Sequence, residues 1–547
     1  MSASLIAAQA AAHEARTDAD PGLQPLGPLT TATAVPVPSV AGRVLSGTSA
    51  LGLGTMIERG AGFVANVLAA RIGGTATFGA YSLAISTANN ISTYAAGGIG
   101  ATAARFSGKY PCGSANYSNL AKALMIVSAV SAALAASALW FGAGPIASLL
   151  GKPALATLLH WAVLSAAGII LLECARGFFV GQRLLVALVL LSVIVGSGMI
   201  VLLPAAAHLH DPTRMIVLQG SITTTAVVVC LLFSKKLGLH GPGVVHSGAT
   251  PLPKMLREVW TFGLVQLAGL VGSSLAGWWL TALVARTDTS LVQMSFFSIA
   301  SQLRNIVGIA PGLLTEGSYA VMADPAGEET RTPHRVMAMC SYASLSVSLM
   351  LAAAGIVIVP WALTLVYGRA YSPAALTVAV GLAIAVVHMG NAPAAARLTI
   401  VSIRATGVIN TIWAVFVAAA ATLFLFFGGG AWQAMLIYFL GHILSSALVL
   451  VTLHRMDTIP EGLAGISGFG TASVGTLLGL AFVRAFRPEL TWPITLAMAA
   501  ITALVFFALY RFGRHYQWLP SRAVAMSLGR RVLDRVPFLN RTGARHV

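Results

Sequence analysis

The chain has 547 residues, of which 57% are hydrophobic and only 9% charged, yet its formal net charge is +17. Soluble domains hold roughly 25% charged residues, so this composition excludes a soluble globular protein and a disordered tether. The long continuous apolar runs also do not fit the alternating segments of an outer-membrane barrel. With a mean hydropathy of +0.83, the chain has apolar residues for on the order of fourteen spans of about 20 residues each.

In chain order, residues 1–42 are rich in Ala, Thr and Pro and contain Glu14, Asp18 and Asp20. They lack a basic region leading directly into an apolar core, so they are expected to form a disordered cytoplasmic tail rather than a signal peptide. Six predicted membrane helices follow at 44–70, 78–100, 120–142, 156–176, 184–206 and 214–234. The connection 235–258 separates them from six more, at 259–284, 291–313, 337–360, 374–396, 406–427 and 433–453. Two extra spans are predicted at 464–483 and 492–511. The expected organisation is thus an all-α polytopic membrane protein. A first lobe occupies 43–234 and a second 259–453, with 235–258 as the loop between them. Two extra helices lie within 454–511, and residues 512–547 form a basic cytoplasmic tail.

The basic residues orient this layout. With the N-terminus cytoplasmic, 25 of the 33 Lys and Arg fall on the cytoplasmic side, seven fall on the other, and Arg59 lies inside the first span. The positive-inside rule then places both termini in the cytoplasm, which requires an even number of spans. Charges spread over the loops of one side do not resemble the single basic face of a nucleic-acid binder. Trp140, Trp161, Trp361, Trp432 and Trp492 all fall near predicted non-cytoplasmic ends, as an interfacial belt would. Cys112, Cys174, Cys230 and Cys340 are widely spaced and imply neither a disulfide framework nor a zinc site; they are expected as small buried hydrophobes.

The two lobes carry a repeat. At an offset of 215, Ala61/Ala276, Gly62/Gly277, Leu68/Leu283, Ala70/Ala285, Arg71/Arg286, Ser86/Ser301, Asn90/Asn305, Ile91/Ile306, Ala95/Ala310 and Gly97/Gly312 coincide within 37 positions. At an offset of 221, Arg176 and Arg183 align with Arg397 and Arg404. With six spans per half, this is a parallel repeat about an axis along the membrane normal, and two such lobes would enclose a central cavity.

A charge at mid-membrane costs about 2.5–3.5 kcal/mol on insertion scales and normally faces the bundle interior. Arg59 and Arg304, one in each half, are therefore the leading cavity candidates, with Asn90, Asn305 and Gln302 as polar companions. Glu58 lies about 100° around the helix from Arg59, so it is not the obvious partner. Glu173 and Arg176, three apart on one helix face, read first as an intrahelical pair. Together with Glu58, His388 and His442 they are the coupling or gating candidates. Arg176, Arg183, Arg397 and Arg404 otherwise serve topology and lipid headgroups. No H-E-x-x-H, G-x-x-x-x-G-K-[ST] or G-x-S-x-G motif is present, so neither an enzyme nor a nucleotide-driven pump is expected, and no cofactor or metal is implied.

The stretch Ala69-Ala70-Arg71-Ile72-Gly73-Gly74-Thr75-Ala76-Thr77-Phe78-Gly79-Ala80-Tyr81-Ser82 resembles the first-loop signature of Wzx-type polysaccharide flippases of the multidrug/oligosaccharidyl-lipid/polysaccharide (MOP) exporter superfamily. Phe179-Val180-Gly181-Gln182-Arg183 and Val366-Tyr367-Gly368-Arg369-Ala370-Tyr371 add to the resemblance. It implies a bacterial inner-membrane protein that moves an undecaprenyl-pyrophosphate-linked oligosaccharide outward by alternating access of two lobes around a cationic cavity, with ion or proton coupling. The implied partners are membrane lipids, the lipid-linked glycan, and the polysaccharide polymerase and chain-length machinery. Arginine's planar fork suits pyrophosphate oxygens, which fits Arg59 and Arg304. The rival readings are a lipid II flippase of the same superfamily and, from another class, an integral-membrane polymerase or ligase. The latter usually carries one large external loop, which is lacking here.

Overall fold

The computed structural model describes residues 40–110, 112, 114–232, 250–322, 331–426 and 428–518. The expected N-terminal tail up to residue 39, most of the central connection and the C-terminal tail beyond 518 lie outside the described residues.

Among the described residues the chain is a helical bundle without strands. In a membrane every backbone N–H and C=O must be satisfied internally, and an Ala-, Leu- and Val-rich run does so as a helix. The helices are α1 (Val40–Ala96), α2 (Ile99–Lys109), α3 (Tyr117–Leu149), α4 (Leu155–Gly181), α5 (Leu185–Ala207) and α6 (Pro212–Leu232). The second series is α7 (Leu252–Thr287), α8 (Val292–Val307), α9 (Ile309–Met322), α10 (Arg331–Val366), α11 (Ala375–Gly390), α12 (Ala392–Val401), α13 (Ile403–Phe426) and α14 (Ala431–Arg455). Two more, α15 (Leu463–Phe486) and α16 (Thr491–His515), complete it. Among the described residues ten helices are long and apolar enough to cross a membrane. The kinked α1, α7 and the α8–α9 pair are compatible with the remaining four of a fourteen-crossing layout.

Several boundaries differ from the sequence expectation. No loop separates the first two predicted spans: the helix runs through both and breaks only at Gly74 (φ 79°, ψ 171°), a conformation that side-chain-bearing residues rarely adopt. Helix α7 begins at Leu252, seven residues before the predicted start, because Leu252, Met255 and Leu256 extend the amphipathic run ahead of the apolar core. The eighth predicted span does not stop at 313. It bends at Gly308 and continues as α9 to Met322.

The packing repeats across the two halves. Helix α1 packs on α5, and α7 on α13. Helix α3 packs on α4, and α10 on α11. Helix α4 packs on α6, and α11 on α14. Each second pair lies six crossings after the first. Prolines follow the same offset of 215: Pro145 interrupts α3 and Pro360 interrupts α10.

The two extra helices join the second half only. Pro360 has no N–H, so the Ile356 carbonyl lacks its helical donor. Arg484 of α15 supplies one, with Nη2 donating to Ile356 O at 2.7 Å and Nη1 to Val357 O at 2.8 Å. Placed by loop charge on the non-cytoplasmic surface, Arg484 is in fact 6% exposed. At the α11–α12 break, the Ser467 hydroxyl donates to Asn391 Oδ1 at 2.8 Å. Tyr342 OH of α10 donates to Leu509 O of α16 at 3.0 Å. Among the described residues no side chain fills the corresponding gap in α3, and Phe141, whose carbonyl Pro145 leaves without a helical donor, is 79% exposed.

A candidate substrate cavity between two halves

The polar candidates gather in two clusters. In the first, Arg176 of α4 donates to Glu173 Oε1 at 2.8 Å, the intrahelical pair that the spacing suggested, and also bonds Glu58 of α1. The Glu58 partner is therefore Arg176, 118 positions away, and not its neighbour Arg59. The three side chains keep 17%, 20% and 30% exposure for Arg176, Glu58 and Glu173, a largely desolvated charge triad with two carboxylates around one guanidinium.

Arg59 is exposed and, among the described residues, forms no hydrogen bond or ion pair. Helix α1, which carries it, packs against α4 of the first half and against α9 of the second, the helix that carries Glu316. Glu316 was outside the sequence candidates because the eighth span was ended at Gly312–Leu313. It is half-buried within the continuing helix.

The second cluster lies in the other half. The Arg304 guanidinium sits 5.0 Å from the Tyr438 ring centroid, a cation–π contact. It also donates to the neighbouring Asn305 Oδ1 at 3.3–3.4 Å. The rings of Tyr438 and His442 are 4.9 Å apart, and those of His442 and His388 are 4.6 Å apart. Trp413 closes the group, 5.4 Å from Tyr438 and 5.6 Å from His442. The two histidines, 54 positions apart in sequence, thus meet in one aromatic nest beneath Arg304. Tyr438 and Trp413 were not singled out in the sequence, because an aromatic in an apolar run carries no signal of what it will touch.

Other candidates act at the seam between the halves. Asn90 Oδ1 accepts from Ser274 of α7 at 2.8 Å and from Tyr94 at 3.0 Å, while Trp278 of α7 donates to Thr87 at 3.2 Å. Gln302 donates to Ser298 at 3.4 Å, and its buried Oε1 has no partner among the described residues. Of the four arginines assigned to topology, Arg183 and Arg404 are exposed. Arg176 and Arg397 are not free for headgroups: Arg176 holds the triad, and Arg397 donates to Met322 O at 2.8 Å. No disulfide joins the four cysteines, and Cys112 is exposed, contrary to the expectation of burial, because it lies in the connection between α2 and α3. Among the described residues no group of three metal-ligating side chains occurs.

The comparisons with known proteins agree with this architecture. Residues 44–313 match the family described as polysaccharide biosynthesis protein. No curated protein matches the chain in sequence. Among solved structures, an inward-facing multidrug resistance MATE family transporter of the MOP superfamily superposes with a TM-score of 0.58 at 14% identity, covering 77% of this chain and 99% of its own. The lipid II flippase MurJ, in an inward closed conformation, gives 0.54 at 13% identity, covering 85% and 98%. A MOP superfamily transporter from Pyrococcus furiosus gives 0.53 at 12% identity, covering 78% and 97%. The chain has the fold of these MOP-superfamily transporters. Within that superfamily fold, the Arg59 and Arg304 clusters lie in the first and second halves respectively, and the Ser274–Asn90 and Trp278–Thr87 bonds mark the seam between them.

Proposed function

We propose that the protein is a flippase for an undecaprenyl-pyrophosphate-linked oligosaccharide repeat unit, carrying it from the cytoplasmic to the outer leaflet for polysaccharide biosynthesis. The observation that carries this reading is the pair of arginines, one per half. Arg59 lies on α1, which packs on helices of both halves, and Arg304 is poised over Tyr438. Two guanidinium forks suit a pyrophosphate, whose oxygens accept bidentate hydrogen bonds. The match of residues 44–313 to a polysaccharide biosynthesis family points to the glycan.

In this reading residues 43–234 and 259–453 are the two lobes, the chain crosses the bacterial inner membrane fourteen times, and both termini are cytoplasmic. The lobes rock about the seam at Asn90–Ser274. Substrate enters from the cytoplasmic side and binds by its headgroup between Arg59 and Arg304, with Asn305 and Gln302 beside it. The Glu58–Arg176–Glu173 triad and the His388–His442 pair are the groups that exchange an ion or proton during the cycle. No bond of the substrate is made or broken.

Deletion of the gene in its own host tests the function. Lipid-linked repeat units should accumulate on the cytoplasmic leaflet, protected from an externally added glycan-modifying enzyme. Repeat units that reach the outer leaflet but stay unpolymerised would overturn the flippase reading in favour of a polymerase. Accumulation of lipid II alone would redirect it to cell-wall precursor.

A further inference from the structure

The 215-residue repeat places Arg71 and Arg286 at equivalent points, one just after the first crossing and the other near the end of the seventh. Each reaches across to the opposite half. Arg71 Nη1 donates to Leu365 O at 2.7 Å and to Val366 O at 3.2 Å, the last two residues of α10. Arg286 Nη1 donates to Leu149 O at 3.4 Å, the last residue of α3. Helices α3 and α10 are themselves the third and ninth crossings, equivalent under the same repeat. The last carbonyls of a helix have no intrahelical donor and carry the negative end of its dipole, so a guanidinium is the complementary group.

We propose that Arg71 and Arg286 form a reciprocal latch that holds the two halves together at the non-cytoplasmic mouth and must release for that mouth to open. The proposal rests on the two-lobe flippase reading above. Two further contacts close the same end. Tyr371 OH, in the turn after α10, donates to Ala70 O at 3.0 Å. Gly79 lies so close to the start of α8 that a Cβ there would fall 2.0 Å from the Leu291 carbonyl oxygen. Any larger residue at 79 would push the halves apart. Arg71 makes two bonds, at 2.7 and 3.2 Å, and Arg286 one at 3.4 Å, so the latch is unequal and Arg71 is the stronger arm. Neither arginine reaches a carboxylate among the described residues; both act on backbone, so a change of partner side chain leaves the latch intact.

The test is a distance measurement across that mouth. Ala154→Cys, in the turn between α3 and α4, and Thr289→Cys, between α7 and α8, are both exposed and belong to opposite halves. Spin labels there, in full-length protein with Cys112, Cys174, Cys230 and Cys340 replaced, report the closed and open populations by double electron–electron resonance. Arg71→Ala combined with Arg286→Ala should shift the closed-to-open ratio toward open by roughly tenfold, with Arg71→Ala giving most of the change, as loss of charge-assisted hydrogen bonds to backbone would. Arg71→Lys, which keeps the charge and loses the fork, should give a smaller shift in the same direction. An unchanged distance distribution in both Arg71→Ala and the double variant refutes the latch. Should the alanine variants not fold, Arg71→Lys decides, and an unchanged distribution there refutes it equally. Because the measurement needs no substrate, its outcome is separate from the lipid-linked glycan assay. Latch and flippase can therefore fail independently.

Discussion

Replacing Arg176 by Gln removes the one guanidinium that the Glu58 and Glu173 carboxylates share. A hydrogen bond to a charged group contributes about 1.5–3 kcal/mol, and stranding a buried charge costs more than the bond itself. Two such bonds are lost here. The three side chains retain 17–30% exposure, which screens part of the loss. The net expectation is about 2–4 kcal/mol of destabilisation for Arg176→Gln. Most of this arises from the two carboxylates left facing each other rather than from the missing attraction. Neutralising them in the same background, with Glu58→Gln and Glu173→Gln, should therefore recover at least half of the loss. The assay is the thermal midpoint of purified protein in detergent for the parent, the single variant and the triple variant, alongside complementation of glycan export. A triple variant no more stable than Arg176→Gln would refute the argument that carboxylate repulsion dominates. A fully stable single variant would refute the triad as a structural unit. If the triad also exchanges an ion during transport, the triple variant regains stability without regaining export.

For Arg304, the alanine variant should lose most export at normal abundance, while Arg304→Lys retains a fraction, since lysine keeps the charge over Tyr438 but not the fork; full activity of Arg304→Ala would remove it from the mechanism. Tyr438→Phe keeps the ring face and should be nearly neutral, whereas Tyr438→Leu should lower export by roughly three- to tenfold, in line with about 0.5–2 kcal/mol for a cation–π contact. For Arg484, the methionine variant should cost about 2–3 kcal/mol by stranding the Ile356 and Val357 carbonyls. Adding Pro360→Ala should return part of it, because alanine supplies the N–H that Ile356 lacks. Thermal midpoints of the two variants check this, and no recovery in the double variant would count against the kink-filling role.

Hydropathy told where most of the helices lie, because it depends on composition along the chain. It could not tell how each helix is rotated, and rotation decides partners. Glu58 and Arg176 were both visible as charges in apolar runs, yet their pairing depends on how α1 packs on α4. His388 and His442 were both visible, yet only the α11–α14 packing brings their rings together. Arg484 looked like a loop residue because it lies near a span end. Its true role was signalled by Pro360, whose missing N–H demands a donor from elsewhere. Glu316 was hidden by a different effect: Gly308, Pro311 and Gly312 read as the end of a span, whereas the helix bends there and carries on. The repeat was legible in the first two crossings of each half and again at Arg176–Arg183 and Arg397–Arg404, and faded elsewhere, since lipid-facing positions tolerate any apolar residue.

The brace that Arg484 and Ser467 form has a consequence for the energetics of a rocking cycle. Identical halves related by an axis along the membrane normal would share a rocking motion equally between them. Here two additional helices are bonded to α10 and to the break after α11, while α3, held at its end by Arg286, has no such helices beside its proline among the described residues. In the proposed rocking cycle, the braced half would serve as the frame and the other half as the moving arm. The motion would then be shared unequally, through an asymmetry present before any cargo arrives.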